Sequence, residues 1–257
     1  MAEALWLYGV AGGDLTALPR CPGVHGGHDA TIIRHAGLAA IVSEVPLAEY
    51  DEAALREKLE DLDWLEGVAR GHERVLDAAL QAGAVVPSRI CTIYETADGV
   101  RDMLTAARPS LEATLARLKG TAEWGLKAYL LQSRPPRVEA AAGAPSSGVA
   151  YLTRKREERA AASAAREATE AALQTIHGAL RAQALETVVN APREPGASGR
   201  QRDLVLSAAY LVADDARDAF RSSVTELVDR YSPAGFCFEL TGPWPAYHFA
   251  RIELSTA

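Results

Sequence analysis

The chain has 257 residues, enough for one large or two small domains, and an apolar content of 48% that is ordinary for a globular core. A net charge of −7 argues against a nucleic-acid partner, because phosphate binding needs a basic surface. Three cysteines without metal-type pairing fit a reducing cytoplasm. No apolar run approaches the length of a membrane span, and the N-terminus lacks the basic start of a signal peptide.

Taken in order, ALWLYGV (4–10) reads as a strand, followed by a Gly/Pro/His-rich loop to about residue 30. TIIRH and LAAIVSEV, joined at Ala36-Gly37, predict a hairpin. Asp51 is the expected N-cap of one long helix whose apolar stripe runs from Leu55 through Leu59, Leu62 and His72 to Leu80. VVPSRICTIY (85–94) is strand-like and broken by Pro87. Asp98 and Pro109 are each expected to open a helix, and Gly120 to stop the second.

TAEWGLKAYLLQ predicts a strand with Trp124 toward the core, and Glu123 and Lys127 together on the other face. SRPPRVEAAAGAPSSG (133–148) has linker composition. A long helical pattern covers about 150–189, weakly anchored at first and then striped by Leu173, Ile176, Leu180 and Leu185. DLVLSAAYLVA is apolar on both faces, as in a central strand. Asp214 or Asp215 should cap a helix through Phe220, Val224 and Leu227. Two strands, FCFEL and YHFARIEL, are expected to flank the stiff segment TGPWPA. This inventory gives an α+β chain with domains at 1–120 and 121–257, residues 133–148 being a flexible loop within the second.

Motifs of catalysis are hard to find. YGVAGGD lacks the Lys-Ser/Thr end of a phosphate loop. CPGVHGGH gathers Cys21, His25 and His28 without a fourth ligand, so the loop is expected to be solvated and to hold no metal. HERVL begins like a metalloprotease helix, but Leu76 stands where the second His is needed, and His72 reads as a hydrogen-bonded core side chain. Cys91 reads as a small buried thiol. The Asp214-Asp215 pair suits a helix start. RKREER (154–159) reads either as a solvated helix face or as a partner-binding helix. No enzyme and no cofactor are expected. A small-molecule enzyme or sensor on the same scaffold would need a pocket with paired, perturbed titratable groups. An RNA-binding sheet would need exposed aromatics on a basic face.

Several stretches, in order, resemble one family: LYGV, HERVLDAAL, VPSRICTIY, EWGLKAYL, SSGVAYL, AAYLVA and above all LTGPWPAYHF. Together they resemble the GvpF/GvpL family of gas-vesicle proteins over nearly the whole chain. The sequence departs from the family pattern at Ile90-Cys91, where the family has Phe-Gly, at Ala246, where it has Pro, and at His248, where it has Ser. The choice between the F and L types stays open.

The resemblance implies a ferredoxin-like N-terminal domain and a modified ferredoxin-like C-terminal domain with long helices. It also implies a non-enzymatic accessory protein of gas-vesicle formation, found in the cytoplasm or on the vesicle, the F type on its gas-facing side. Its partners would be the major shell protein and other gas-vesicle accessory proteins, with no nucleic acid and no membrane. Apart from the resemblance, the net charge and the weakly anchored helix at 150–170 suggest a contact surface for such a partner. Arg89, Glu123, Lys127, Trp244 and Tyr247 are the candidate contact or structural residues. Trp244, held between two prolines, is expected either to plug a sheet end or to anchor a partner.

Overall fold

The computed structural model describes residues 2–131, 148–190, 202–250 and 252, with side chains from residue 151 onward in the helix that begins at Gly148. The chain is α+β and divides into two compact units, Met1–Glu123 with Gly242–Ala257, and Trp124–Thr241.

The first unit is built on a sheet of β1 (Glu3–Gly12), β2 (Thr31–His35), β3 (Leu38–Pro46), β4 (Val85–Pro87) and β5 (Ile93–Tyr94). The order is β2-β3-β1-β4, with β5 also pairing β1. Ala36 and Gly37, at φ 51° and 80°, close the β2–β3 hairpin in the left-handed conformations such a turn requires. The β1–β3 register slips between Leu7 and Gly9. Gly9 is required there, since a Cβ would stand 2.6 Å from the Val86 carbonyl oxygen of the neighbouring strand.

Alternation sends Trp6 and Tyr8 to one face of this sheet, with Ile41 and Val45 of β3. That face packs against α3 (Leu62–Leu80) through Val68, Val75, Leu76 and Ala79. Leu7, opposite Val42, points the other way, toward α4 (Ala97–Leu118), whose Val100, Leu104, Leu111, Leu115 and Leu118 are buried. Each such leucine contributes about 1.5–3 kcal/mol of burial.

Two helix expectations change. The long helix opened by Asp51 is two helices, α2 (Glu52–Lys58) and α3, after a short α1 (Leu47–Tyr50). Asp51 does cap α2, accepting from Ala54 N–H at 2.8 Å. Asp61 is a second cap, accepting from Asp63 and Trp64 at 3.0 and 3.1 Å, and it restarts the helix out of phase with the expected stripe. Leu59 and Leu62 are therefore 47% and 76% exposed. Conversely, the two helices expected at Asp98 and Pro109 are one. Thr96 caps α4, and Pro109 sits inside it, forgoing one backbone bond that the buried face outweighs.

The second unit runs β6 (Thr121–Leu131), α5 (Gly148–Arg181), β7 (Glu186–Asn190), β8 (Arg202–Ala213), α6 (Arg217–Tyr231) and β9 (Phe236–Trp244). With sheet order β7-β8-β6-β9, this is the β-α-β-β-α-β arrangement of ferredoxin-like folds. Trp124, Leu126, Tyr210 and Val212 face Ile176 and Leu180 of α5 and Phe220, Val224 and Leu227 of α6.

The helical pattern expected to reach residue 189 stops at Arg181, and 186–190 is the edge strand β7. Its β-branched Thr187, Val188 and Val189 suit a strand, and Leu185 N–H begins the pairing by donating to Leu211 at 2.8 Å. Leu185 is accordingly 62% exposed rather than part of the α5 stripe. Asp214 and Asp215 lie in a short 3-10 turn, and α6 begins at Arg217 without a side-chain cap. Of the strand expected at YHFARIEL (247–254), residues 247–250 form a helical turn instead, and residues 251, 253 and 254 lie outside the described residues. Phe249 and Ala250 both donate to the Ala246 carbonyl, at 3.1 and 2.9 Å. Most of the 133–148 linker lies outside the described residues.

Candidate functional site

The C-terminal turn, residues 245–250, is held on the first unit by two side chains. Glu123, on β6 and only 4% exposed, accepts from His248 N–H at 2.8 Å, and its other oxygen meets His248 Nδ1 at 2.6 Å. Arg117, near the end of α4, donates to the Phe249 carbonyl. Beneath the turn Pro245, Ala246, Phe249 and Ala250 are buried. Tyr247 is 39% exposed overall, with its hydroxyl end desolvated beside Glu73 and Asp77, and Trp244 is half-buried.

The electrostatics of the turn follow from its neighbours. The bond to Glu123 raises the His248 pKa, against the opposing effect of burial. Desolvation pushes the Tyr247 phenol up, and the charges of Glu73, Asp77 and Glu123 push it further. Glu73 and Asp77, one turn apart on α3, are themselves raised by burial. The site thus sets an aromatic ring beside the carboxyl groups of Glu73, Asp77 and Glu123.

Of the five residues singled out in the sequence, Glu123 and Tyr247 meet at this turn, and Trp244 leads into it. Lys127 lies in the second unit on β6, where it pairs with Glu239 at 3.8 Å; the partner of Glu123 is His248. Arg89 is exposed, and its carbonyl accepts from Thr92 N–H and Oγ1, closing the tight turn 89–92. Sequence reasoning missed His248 as a contact of Glu123, and Glu73 and Asp77 as neighbours of Tyr247. The only sequence signal was the departure from Ser at position 248.

The other candidates resolve into core and surface chemistry. His72 is fully buried, and its Nδ1 accepts from Trp6 Nε1–H at 3.0 Å; burial lowers its pKa to about 4. Tyr8 OH meets Ser43 Oγ at 2.7 Å and accepts from Val24 N–H at 2.9 Å, tying the 21–30 loop to β1. The metal-type residues of that loop diverge. Cys21 is buried, His25 packs edge-on against Tyr50, and His28 is 3.2 Å from Glu44 and 3.9 Å from Glu3. The Glu3–His28–Glu44 group is a surface cluster with one carboxylate near each nitrogen of the His28 ring. Among the described residues no helix is long and apolar enough to cross a membrane.

Comparison with known proteins bears out the resemblance. The model of the family described as gas vesicle synthesis protein GvpL/GvpF matches residues 4–251. The chain is 37% identical over 235 residues to gas vesicle protein L of a Streptomyces species, covering 90% of this chain and 87% of that one. It is 25% identical to gas vesicle protein F2 of Halobacterium salinarum, covering 99% and 95%. The fold matches the crystal structure of the gas vesicle protein GvpF from Anabaena with a TM-score of 0.69 at 19% identity, covering 98% and 97% of the two chains. That of GvpF from Microcystis aeruginosa gives 0.67 at 18%, covering 97% and 99%. The chain belongs to the gas vesicle synthesis protein GvpL/GvpF family.

Proposed function

We propose that the chain is a non-enzymatic accessory protein of gas-vesicle formation that binds the major shell protein through its C-terminal aromatic turn. The observation that carries this reading is Tyr247. It stands 39% exposed on a turn pinned by Glu123 and Arg117, while Phe249 beneath it does the filling. A plug would hide its largest ring. Here the plug and the presented ring are different residues, and a rigid aromatic offers contact area at little entropic cost.

Trp244, half-buried at the end of β9 three residues before Tyr247, is the second aromatic assigned to this contact. An apolar shell protein held here would be kept soluble by the net negative charge of its carrier. Residence in the cytoplasm during assembly, and on the gas-facing side of the shell afterwards, belongs to the same proposal.

Complementation of vesicle-forming cells that lack this chain tests the reading. Tyr247→Ala, with unchanged circular dichroism, is expected to give fewer vesicles than the wild-type chain. Wild-type vesicle numbers from that variant would remove the turn from the mechanism.

A further inference from the structure

Residues 151–168 of α5 are all exposed. At ~1.5 Å per residue this is an arm about 27 Å long with no core beneath it. Helices of this length are marginal alone. What local support it has comes from surface pairs such as Arg154–Glu158 at 3.7 Å and from Arg154 and Lys155 over the Tyr151 ring.

The arm is chemically unlike the rest of the chain. It carries five basic against three acidic residues in a protein of net charge −7. At its start the exposed pair Tyr151 and Leu152, 47% and 61% exposed, is followed after Thr153 by Arg154, Lys155 and Arg156.

The α2–α3 corner of the first unit has the complementary pattern. Between residues 49 and 63 stand seven acidic and two basic residues. Both basic ones are engaged locally, Arg56 by Glu52 and Lys58 by Glu49. The surplus falls on Glu57, Glu60 and Asp63, all exposed. Among them stand Leu59 and Leu62, 47% and 76% exposed. An apolar pair edged with cations on one element thus matches an apolar pair edged with anions on another.

We propose that the basic start of the α5 arm docks on the acidic α2–α3 corner of a second copy of this chain. The contact uses two different patches, so it is head-to-tail, and a pair of copies keeps one free arm and one free corner between them. It draws on apolar burial for affinity and on opposite charge for orientation and encounter rate. This inference goes beyond the shell-protein reading and does not depend on it.

Sedimentation velocity on the full chain over a concentration series tests it. Association is expected at about 50 mM salt and roughly tenfold weaker at about 300 mM, as charge pairs at an interface rim are screened. An arm variant, Arg154→Gln/Lys155→Gln/Arg156→Gln, should be monomeric. So should a corner variant, Glu57→Gln/Glu60→Gln/Asp63→Asn, which leaves the Asp61 cap in place. Mixed, the two retain one intact corner and one intact arm, and they should form a complex that stops at one to one. Three outcomes would overturn the proposal: a wild-type chain monomeric at every concentration, a corner variant that still self-associates, or a mixture that stays monomeric. An arm variant that still self-associates like the wild type but loses shell-protein capture would overturn the proposal as well and assign the arm to the shell protein.

Discussion

Glu123 and His248, 125 residues apart in sequence, are joined by two contacts, one to the His248 main-chain N–H and one to its ring. The carboxylate is almost fully buried, so removing it leaves a donor without its acceptor. Glu123→Ala is expected to cost about 1–3 kcal/mol in urea unfolding, and Glu123→Gln less, because its amide oxygen can still accept from the main chain.

The same pair sets a pH dependence. Glu123 raises the His248 pKa above its ordinary value of 6.5, so the folded state holds the proton more tightly than the unfolded one. The stabilisation is complete below about pH 6.5 and is lost as pH rises through the folded value. The urea midpoint of the wild-type chain should therefore fall on the alkaline side of 6.5 relative to that of His248→Gln. Parallel curves for the two would refute the pair.

His72 acts in the opposite sense. Burial lowers it to about 4, so the folded state resists its protonation. Its neutral form supports the fold above pH 6.5, and that support is lost as pH falls toward 4, by about 3 kcal/mol at ~1.36 kcal/mol per pKa unit. His72→Gln should flatten that acid limb of the stability curve. His72→Leu should be less stable near neutrality by about 1–3 kcal/mol, because Trp6 Nε1–H loses its acceptor.

Cys91 adopts φ +66°, a left-handed conformation that costs an L-residue roughly 1–2 kcal/mol. Its thiol, pushed up to about 11 by burial, stays protonated and packs on the core as a small apolar group. Cys91→Gly and Cys91→Ala both lose that packing, but only glycine relieves the backbone. The glycine variant should be the more stable by about 1 kcal/mol, reversing the usual preference for alanine. An alanine variant of equal or greater stability would show that the turn carries no such strain.

The parts of the fold that could be read in the sequence were those with a local cause. β1, the β2–β3 hairpin, β6 and β8 announce themselves by alternation or continuous apolarity. Trp124, 5% exposed, lies in the core as its strand position required. The failures are equally physical. Asp61 competes with the helix pattern around it, and nothing in the apolar spacing reveals which signal prevails.

Pro109 looks like a helix start, but Leu104 and Leu111 on either side of it are both fully buried, and that burial carries the helix through. TVVN continues the helical pattern in the sequence, and only its pairing with β8 makes it a strand. At the candidate site the resemblance pointed to Trp244 and Tyr247, and Glu123 was singled out with Lys127. Its bond to His248 depends on a distant contact with no local signature.

The most direct measurement of the central claim is co-purification of this chain with the major gas-vesicle shell protein after co-expression. Wild type, Tyr247→Ala and Trp244→Ala should be compared once circular dichroism shows each is folded. The account predicts that the wild-type chain retains the shell protein and that folded Tyr247→Ala loses most of it, with Trp244→Ala weakened as well. Full retention by both folded variants, or none by the wild type, would contradict it.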